Sequence, residues 1–324
     1  MISRRDVLAG AAAAGLAALA RPAEAAQPRL APRSRTPVNF AVPPGACDCH
    51  THVIGDFVRF PMASSRTYTP APASVGDLKS LHRDLHIARV VLVQPSVYGT
   101  DNSCTLDALR QIGPSARGIA VVDDKTPDDV LDAMEGAGVR GLRINLATAG
   151  QTDPSVARGR FDAAVRRIGS RKWHIQMYAT LPVISAIHAA VLASPVPVVF
   201  DHFGGAQAAG GVGQDGFQGL VELVRAGRAY VKVSAPYRGS SLAPSYSDMT
   251  PFAQALIAAN SRRILWGTDW PHPDTRVAAG RSATDVAAHL DIDDGLALNQ
   301  FASWAPGALL KTILVDNPAE LYRF

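Results

Sequence analysis

The stretch ACDCHTHV, residues 46–53, decides how this sequence folds. Its composition predicts a short buried strand, and His50 and His52 stand two residues apart where that strand should end. Because side chains alternate across a strand, we expect both imidazoles on one face, with Asp48 behind them and the two cysteines packed on the other face. Two imidazoles on one face can bind a divalent cation, or they can donate hydrogen bonds to one substrate oxygen.

Seven further apolar, β-branched runs follow this one, with stretches of helical periodicity between them. The eight predicted strands are Ala46–Val53, Arg89–Pro95, Arg117–Val122, Val139–Asn145, His174–Ala179, Pro197–Phe203, Tyr230–Ala235 and Arg263–Trp270. The clearest predicted helices are Asp128–Gly136, Pro154–Ile168 and Leu181–Leu192. Hydrophobic strands that alternate with helices imply a parallel sheet covered on both faces. The repeat predicts a single-domain (β/α)8 TIM barrel with a short irregular N-terminal arm, and a doubly wound open sheet is the alternative.

The composition is that of an ordinary globular protein, with 47% hydrophobic and 19% charged residues. The formal net charge is +4 without any run of lysines and arginines, so nucleic acid is not an expected partner. The chain has three cysteines. Two of them, Cys47 and Cys49, are too close on one strand to bridge each other, and we expect all three to be free, buried thiols.

The N-terminus is typical of an export signal. The segment SRRDVL, residues 3–8, is a twin-arginine pattern, and Ala23-Glu24-Ala25 provides small residues for cleavage. The apolar run between them is too short to span a bilayer, so no stable membrane anchor is expected. We predict a twin-arginine signal peptide over residues 1–25, a proline-rich arm over 26–45, a barrel over 46–324, and delivery to the periplasm by the twin-arginine export machinery.

Polar side chains lie at nearly every predicted strand end, which is where a (β/α)8 barrel gathers its reactive residues. Besides the first two histidines, these candidates are Ser96, Arg143, Asn145, Tyr178, Asp201, His202, Lys232, Tyr237, Arg238 and Asp269. The ordered set of the HxH pair, His202 and Asp269 within WGTDWPH (266–272) resembles the amidohydrolase superfamily. The chain is also similar to the branch that contains 2-pyrone-4,6-dicarboxylate lactonase and sugar-acid lactonases. Further stretches that carry this similarity are 68–70, 94–102, 140–145, 201–204, 234–238 and 316–319.

The resemblance covers residues 46–324 and implies hydrolysis of a lactone, a cyclic ester. In that scheme Asp269 is the general base that takes a proton from the attacking water. The three histidines His50, His52 and His202 polarise the ring carbonyl and stabilise the oxyanion. The resemblance and the guanidinium geometry assign substrate carboxylates to Arg143 and Arg238. The remaining pocket residues are predicted to be Tyr68, Ser96, Tyr178 and Asn145, with Lys232 and Tyr237 as further candidates.

Two features separate this sequence from parts of that family. Places that carry arginine in the dicarboxylate branch correspond here to Ala149 and Gly205, so a sugar lactone or a monocarboxylated lactone is as good a candidate as the pyrone dicarboxylate. Metal-dependent relatives add a lysine or glutamate at strand four and a histidine at strand five, where this chain has Arg143 and Tyr178. No metal is therefore expected to be required, although one divalent ion such as zinc could bind through His50, His52, His202 and Asp269.

The same set of residues is also compatible with three other functions. The same residues could isomerise a lactone, with a substrate hydroxyl in place of water, and acid release would separate the two reactions. A metal-dependent decarboxylase is a second enzyme alternative, which Arg143 and Tyr178 disfavour. A periplasmic binding protein without catalysis is the third alternative, and substitution of Asp269 would test it.

Overall fold

The computed structural model describes residues 31–276 and 280–324, so the predicted signal peptide lies outside the described residues. The strands are β1 Cys47–Thr51, β2 Thr69–Pro70, β3 Arg89–Val93, β4 Ala116–Ala120, β5 Val139–Asn145, β6 His174–Tyr178, β7 Val198–Phe200, β8 Ala229–Lys232, β9 Ile264–Leu265 and β10 Val286–Ala287. The α-helices are α1 Val75–Asp84, α2 Ser103–Ile112, α3 Asp128–Gly136, α4 Pro154–Ile168, α5 Leu181–Ala186, α6 His188–Leu192, α7 Phe217–Arg225, α8 Thr250–Asn260, α9 Asp294–Trp304, α10 Ala308–Lys311 and α11 Asn317–Tyr322. Within the described ranges, none of the helices has the length and apolar character that a membrane crossing needs.

Eight of the strands form one parallel sheet in the order β1-β3-β4-β5-β6-β7-β8-β9, and β2 pairs separately with β10. The first and last barrel strands meet beyond β9, where Cys49 N donates to Trp266 O at 2.9 Å and Asp269 N donates to His50 O at 2.8 Å. These hydrogen bonds close the sheet on itself. The predicted (β/α)8 barrel is therefore confirmed, and the doubly wound open sheet is excluded.

The barrel separates two apolar cores. A small core of strand residues fills the lumen, including Cys47, Val91 and Ile119, and it ends against Tyr322 of α11. A much larger core lies between the strands and the surrounding helices. The Tyr322 ring lies 5.3 Å from the ring of His174 at the start of β6, so the C-terminal helix closes the lumen at that end. The opposite end, where the strands finish, is the end at which (β/α)8 barrels carry their functional residues.

A local sequence signal explains where helix α4 begins, and the bounds of three predicted helices can be compared with the structure. Helix α4 follows Asp153, whose side chain accepts a hydrogen bond from Ser155 N, and proline occupies its first turn. The predicted bounds of α3 and α4 match the structure. The single helix predicted over 181–192 is wrong, because the chain leaves helical geometry at Ile187, with φ −100° and ψ 6°. The Ile187 side chain is buried there, so packing overrides the helical periodicity.

The described part of the N-terminal arm, residues 31–45, contains no helix or strand. It is tied to the barrel by hydrogen bonds from Trp270 Nε1 to Pro32 O at 3.0 Å and from Thr36 Oγ1 to Asp293 Oδ2 at 2.7 Å. The arm therefore packs beside the last barrel strand and the start of α9. The division at residues 25 and 45 stays a prediction.

Candidate active site

His50 and His52 both reach the mouth of the barrel, but simple alternation does not place them there. The pairing of β1 with β3 shifts register between Asp48 and Thr51, as a β-bulge does. Cys49 packs in the lumen core, and the bulge lets the next residue, His50, point inward as well, toward residues of the neighbouring strands. The expectation that the cysteines face away from the histidines is therefore wrong, because the bulge breaks the alternation.

Asp48 was expected behind the histidines, and this expectation is also wrong. Its carboxylate turns toward α1 and the last strand, where it accepts from Thr268 Oγ1 at 2.7 Å and lies 3.2 Å from His82 Nε2. Gly267 of the last strand lies close to this part of β1 because it has no side chain. A Cβ on Gly267 would lie 2.6 Å from the backbone nitrogen of His50, a distance that no side chain could tolerate. Asp48 therefore helps to fix the strand that carries His50.

Three imidazoles converge on one carboxylate oxygen. The Nε2 atoms of His50, His52 and His202 lie 3.5, 3.5 and 3.6 Å from Oδ1 of Asp269. All four side chains are buried. Within the described residues, neither this Oδ1 nor Nε2 of His50 has a hydrogen-bond partner. The four residues predicted to be catalytic thus form one cluster whose inward-facing atoms are free to contact a substrate.

The second oxygen of Asp269, Oδ2, accepts hydrogen bonds from two neighbouring side chains. Oδ2 accepts from Tyr237 Oη at 2.6 Å and from Arg238, whose Nε and Nη2 lie at 2.8 and 2.6 Å. Burial raises the pKa of the Asp269 carboxyl, but the charge of Arg238, helped by the surrounding imidazoles, outweighs this effect and holds that pKa well below its usual value. Asp269 is therefore an ionised carboxylate that offers Oδ1 to the site.

The backbone is strained where these side chains enter the site. His202, Ala235, Asp269 and His272 have φ values of 49°, 49°, 66° and 62°, a left-handed conformation that residues other than glycine seldom adopt. Such strain persists only where surrounding contacts enforce it, and it is concentrated at functional sites. These residues lie in the segments that follow β7, β8 and β9, at the mouth of the barrel.

The Nδ1 atoms of His52 and His202 contact different kinds of hydrogen-bond partner. His52 Nδ1 lies 2.8 Å from the carbonyl oxygen of Val93, which can only accept, so Nδ1 carries a proton, and Nε2 of the neutral imidazole has the free lone pair. His202 Nδ1 lies 2.9 Å from Ser234 Oγ, and a hydroxyl can donate or accept. Burial lowers the pKa of His202 to about 4, so its imidazole is neutral near pH 7.

A fully buried polar network lies behind His50. Lys232 Nζ is 3.2 Å from His50 Nδ1, 3.3 Å from Asp201 Oδ1 and 2.7 Å from Gln176 Oε1. Gln176 Nε2 donates to Asp201 Oδ2 at 3.0 Å. Burial holds the pKa of His50 well below its usual value, with Lys232 adding to the effect and Asp201 opposing it. His50 is therefore a neutral imidazole.

A profile of the family described as Amidohydrolase matches residues 47–324, which is nearly the whole described chain. The chain belongs to the amidohydrolase family. This amidohydrolase is 34% identical over 293 residues to a 2-pyrone-4,6-dicarboxylate hydrolase of Comamonas testosteroni, with 87% of this chain and 92% of the relative covered. It is 33% identical over 306 residues to a 4-sulfomuconolactone hydrolase of Rhizobium radiobacter, with coverages of 91% and 96%.

A solved structure supports the same relationship. A protein from Acinetobacter baumannii, described as "probable 2-pyrone-4,6-dicarboxylic acid hydrolase" and carrying bound citric acid, superposes with a TM-score of 0.70 and 26% identity. The superposition covers 86% of this chain and 100% of that one. The predictions of the family and of an enzyme are therefore confirmed, while the individual roles predicted for its residues stay predictions.

The mouth of the amidohydrolase barrel carries the other predicted pocket residues. Tyr68 Oη accepts from Ser96 Oγ at 3.3 Å, and the Tyr178 ring packs edge-on against His202 at 5.1 Å. Arg143 is almost buried, and its Nη1 donates to Gln94 O at 3.0 Å. The structure therefore places Tyr68 and Ser96 together and Tyr178 beside His202.

A cavity of about 550 Å³ opens at this mouth between the ends of β4 and β5 and helix α4. Its walls include Ser96, Arg143 and Asn145, and Arg160 on α4 also lines it. The amide of Asn145 is already used locally, because it exchanges hydrogen bonds with Thr148 at 3.0 and 3.1 Å. This volume is within the range of small-molecule sites, although none of the four cluster residues lines the cavity, and Ser96 and Arg143 are its links to the mouth.

Sequence reasoning missed a chain of polar contacts behind Asp269. Tyr237 Oη lies 3.2 Å from His272 Nδ1, and His272 Nε2 lies 3.1 Å from Asp294 Oδ2. The last two side chains are fully buried. His272 lies in the WGTDWPH segment, three residues after Asp269, and this position could have indicated that it is a neighbour of the site. Asp294 gave no such signal, because acidic residues at the start of a helix usually serve capping.

Three residues of the cluster could bind a metal ion, so the groups that surround them decide whether an ion fits. His50, His202 and Asp269 bring three ligand atoms within 4.8 Å of one another, which is close enough for one ion. However, a histidine that binds a metal normally donates its other nitrogen to a carboxylate or carbonyl. His50 Nδ1 lies 3.2 Å from the ammonium of Lys232 and also 3.2 Å from Asp201 Oδ1, and of these two contacts the one with Lys232 has hydrogen-bond geometry. Asp269 is paired with Arg238. These two cations disfavour a resident metal ion, and the expectation that no metal is required stays a prediction.

Proposed function

We propose that this protein hydrolyses the ring ester of an anionic lactone at the cluster around Asp269. The observation that carries the proposal is the convergence of three imidazole nitrogens on the free Oδ1 of one ionised carboxylate. Such a cluster presents a proton acceptor next to hydrogen-bond donors in a water-poor pocket, and acyl transfer needs both. Relatives named as hydrolases of two different lactones support the choice of substrate class.

Asp269 acts as the general base in this proposal. Its Oδ1 accepts a proton from the water that attacks the ring carbonyl, while Arg238 and Tyr237 hold Oδ2 in place. His52 has its Nε2 lone pair 3.5 Å from the same Oδ1, so a water between them can donate one hydrogen to each. His52 therefore orients the nucleophile, whereas the family resemblance implied that it polarises the carbonyl.

The carbonyl oxygen is held by the other two histidines. His50 and His202 are neutral, and each presents Nε2 to the space in front of Asp269. Their N–H groups donate to the oxygen as negative charge develops on it during attack. When the tetrahedral intermediate collapses, the acyl C–O bond breaks, and the ring oxygen takes the proton that Asp269 received from water. The product is the open-chain hydroxy acid, which ionises and acidifies the medium.

The substrate is proposed to carry a carboxylate or a sulfonate group. Arg143 lies at the mouth with its Nε free of hydrogen bonds to described residues, and Arg160 lines the adjoining cavity. Gly205, in contrast, has φ +76°, and a Cβ there would lie 2.7 Å from Ala179 O. No arginine side chain fits at that position, so the site is less cationic than one built for a dianion.

The test is a pH-indicator screen of the purified protein against pyrone and sugar-acid lactones, followed by mass spectrometry of the product. Hydrolysis predicts acid release and a mass gain of one water. Lactone isomerisation predicts a product of unchanged mass without acid release, and decarboxylation predicts loss of carbon dioxide. Binding without turnover of any lactone would favour the binding-protein alternative.

We further propose that the protein works in the periplasm after twin-arginine export. The support is the SRRDVL segment (3–8) and the small residues before Ala26. Replacement of both Arg4 and Arg5 by lysine should retain the enzyme in the cytoplasmic fraction of the expressing cells. Equal periplasmic amounts of the unaltered and substituted proteins would contradict this proposal.

A further inference from the structure

Lys232 is the fully buried cation of the barrel lumen. It ends β8, and its Nζ has three neighbours, Gln176 Oε1, Asp201 Oδ1 and His50 Nδ1. Burial raises the pKa of the Asp201 carboxyl, but Lys232 and His50 outweigh this effect and hold it well below its usual value. Asp201 is thus an ionised partner for Lys232. Burial lowers the pKa of Lys232, but Asp201 opposes this effect, and we take the ammonium to be charged next to His50.

An ammonium group has three donors and no lone pair, so it can only donate to His50 Nδ1. The proton of the neutral imidazole must then reside on Nε2. Asp201 Oδ1 is also 3.2 Å from Nδ1, but this contact lacks hydrogen-bond geometry, whereas the contact from Lys232 Nζ has it. The inner nitrogen agrees with this tautomer, because His50 Nε2 is buried, has no hydrogen-bond partner among the described residues and lies 3.5 Å from Asp269 Oδ1.

We propose that Lys232 is a positioning residue that fixes His50 in the Nε2–H tautomer. His50 is then a permanent hydrogen-bond donor toward the substrate carbonyl, and its Nε2 has no lone pair to offer a metal ion. His52 is the opposite case, because Val93 O holds its proton on Nδ1. Two histidines of one HxH pair therefore have different tautomers and different tasks. The contribution to turnover rests on the proposed lactone hydrolysis, whereas the tautomer itself does not.

The first test needs only the unaltered protein. Histidine labelled with ¹⁵N is incorporated, and two-bond ¹H–¹⁵N correlation spectra distinguish protonated from unprotonated ring nitrogens. The His50 signals are identified by their loss in a His50→Gln variant. We expect a protonated Nε2 and an unprotonated Nδ1 for His50. A protonated Nδ1 would overturn the proposal, whatever the outcome of any lactone assay.

The second test changes the donor. In Lys232→Met the ammonium is lost, and Asp201 becomes the acceptor that His50 Nδ1–H needs. We expect the His50 tautomer to reverse and zinc affinity, measured by calorimetry, to rise by about ten-fold, the scale of such outer contacts. Ser234→Ala is the matched control, because it alters the partner of His202 and should leave the His50 signals unchanged. A folded Lys232→Met protein with unaltered His50 signals and zinc affinity would contradict the proposal.

Discussion

Arg238 binds a single oxygen of Asp269 through two nitrogens, Nε at 2.8 Å and Nη2 at 2.6 Å. This contact leaves the other oxygen, Oδ1, for the three imidazoles. It also stabilises the negative charge, because the guanidinium, whose side chain is 15% exposed, lies against a buried carboxylate and is only partly screened by water. The same ion pair therefore orients the proposed base and lowers its basicity.

Replacement of Arg238 should change the pH dependence of turnover. Asp269 must be ionised to act as a base, and its pKa lies well below the usual carboxyl value, so kcat/KM of the unaltered enzyme should stay flat from neutral pH down to about pH 5, above the pKa of about 4 of His202. In Arg238→Gln, burial raises the pKa of Asp269 without this opposition, so the acid limb should move to higher pH. Arg262→Gln, at an exposed arginine paired with Glu320, is the control. An unshifted acid limb in Arg238→Gln would show that Arg238 does not tune Asp269.

Arg160 should contribute to the binding of anionic lactones. It is exposed, lines the cavity next to Arg143, and makes no ion pair with any described residue. Arg160→Gln should raise KM for a carboxylated lactone by about three- to five-fold, the scale of an exposed charge pair, with no change for a neutral lactone. Arg166→Gln lies on the same helix outside the cavity lining and should have no effect on either substrate. Equal losses for charged and neutral lactones would contradict an electrostatic role.

Gly205 should tolerate no side chain. In Gly205→Ala the new Cβ meets Ala179 O at 2.7 Å while φ stays at +76°, so we expect a loss of about 1–3 kcal/mol in the free energy of unfolding. Gly211→Ala is the control, since its φ is also positive but no atom lies within 4 Å of the added Cβ. Urea denaturation of both variants measures the difference. Equal destabilisation would mean that the close approach is unimportant.

Removal of divalent metals should leave activity unchanged. The reason is the Lys232 ammonium on His50, together with Arg238 on Asp269. The purified protein is treated with a chelator, its metal content is measured by mass spectrometry, and lactone turnover is compared before and after. Activity that disappears with the metal and returns with added zinc would refute the metal-independent account.

The sequence was sufficient for the barrel and for the members of the central cluster. Strand ends in a closed parallel barrel share one mouth, so His50, His52, His202 and Asp269 could be placed together from topology alone. Orientation could not be inferred in the same way. The bulge between Asp48 and Thr51 depends on the close approach of Gly267, which is a contact between the first and last strands.

The contacts behind the cluster were equally beyond sequence reasoning. Asp294 reaches His272 from the start of a helix 22 residues further along the chain, and nothing in its local pattern separates it from a capping residue. Arg238 was predicted to bind a substrate carboxylate, which stays a prediction, and its contact with Asp269 was not foreseen because the two residues are 31 positions apart in the chain. Long-range pairs of this kind depend on the packing of the completed fold.

The central claim is that the free oxygen of Asp269 activates water. It is tested most directly with Asp269→Asn and the lactone that the unaltered enzyme turns over fastest. We predict that kcat falls by roughly 10²–10⁴-fold. Lactone affinity, measured by calorimetry, should stay within a few-fold of the original value, because the amide keeps the size of the carboxylate. Turnover by Asp269→Asn at a rate close to that of the unaltered enzyme would contradict the account.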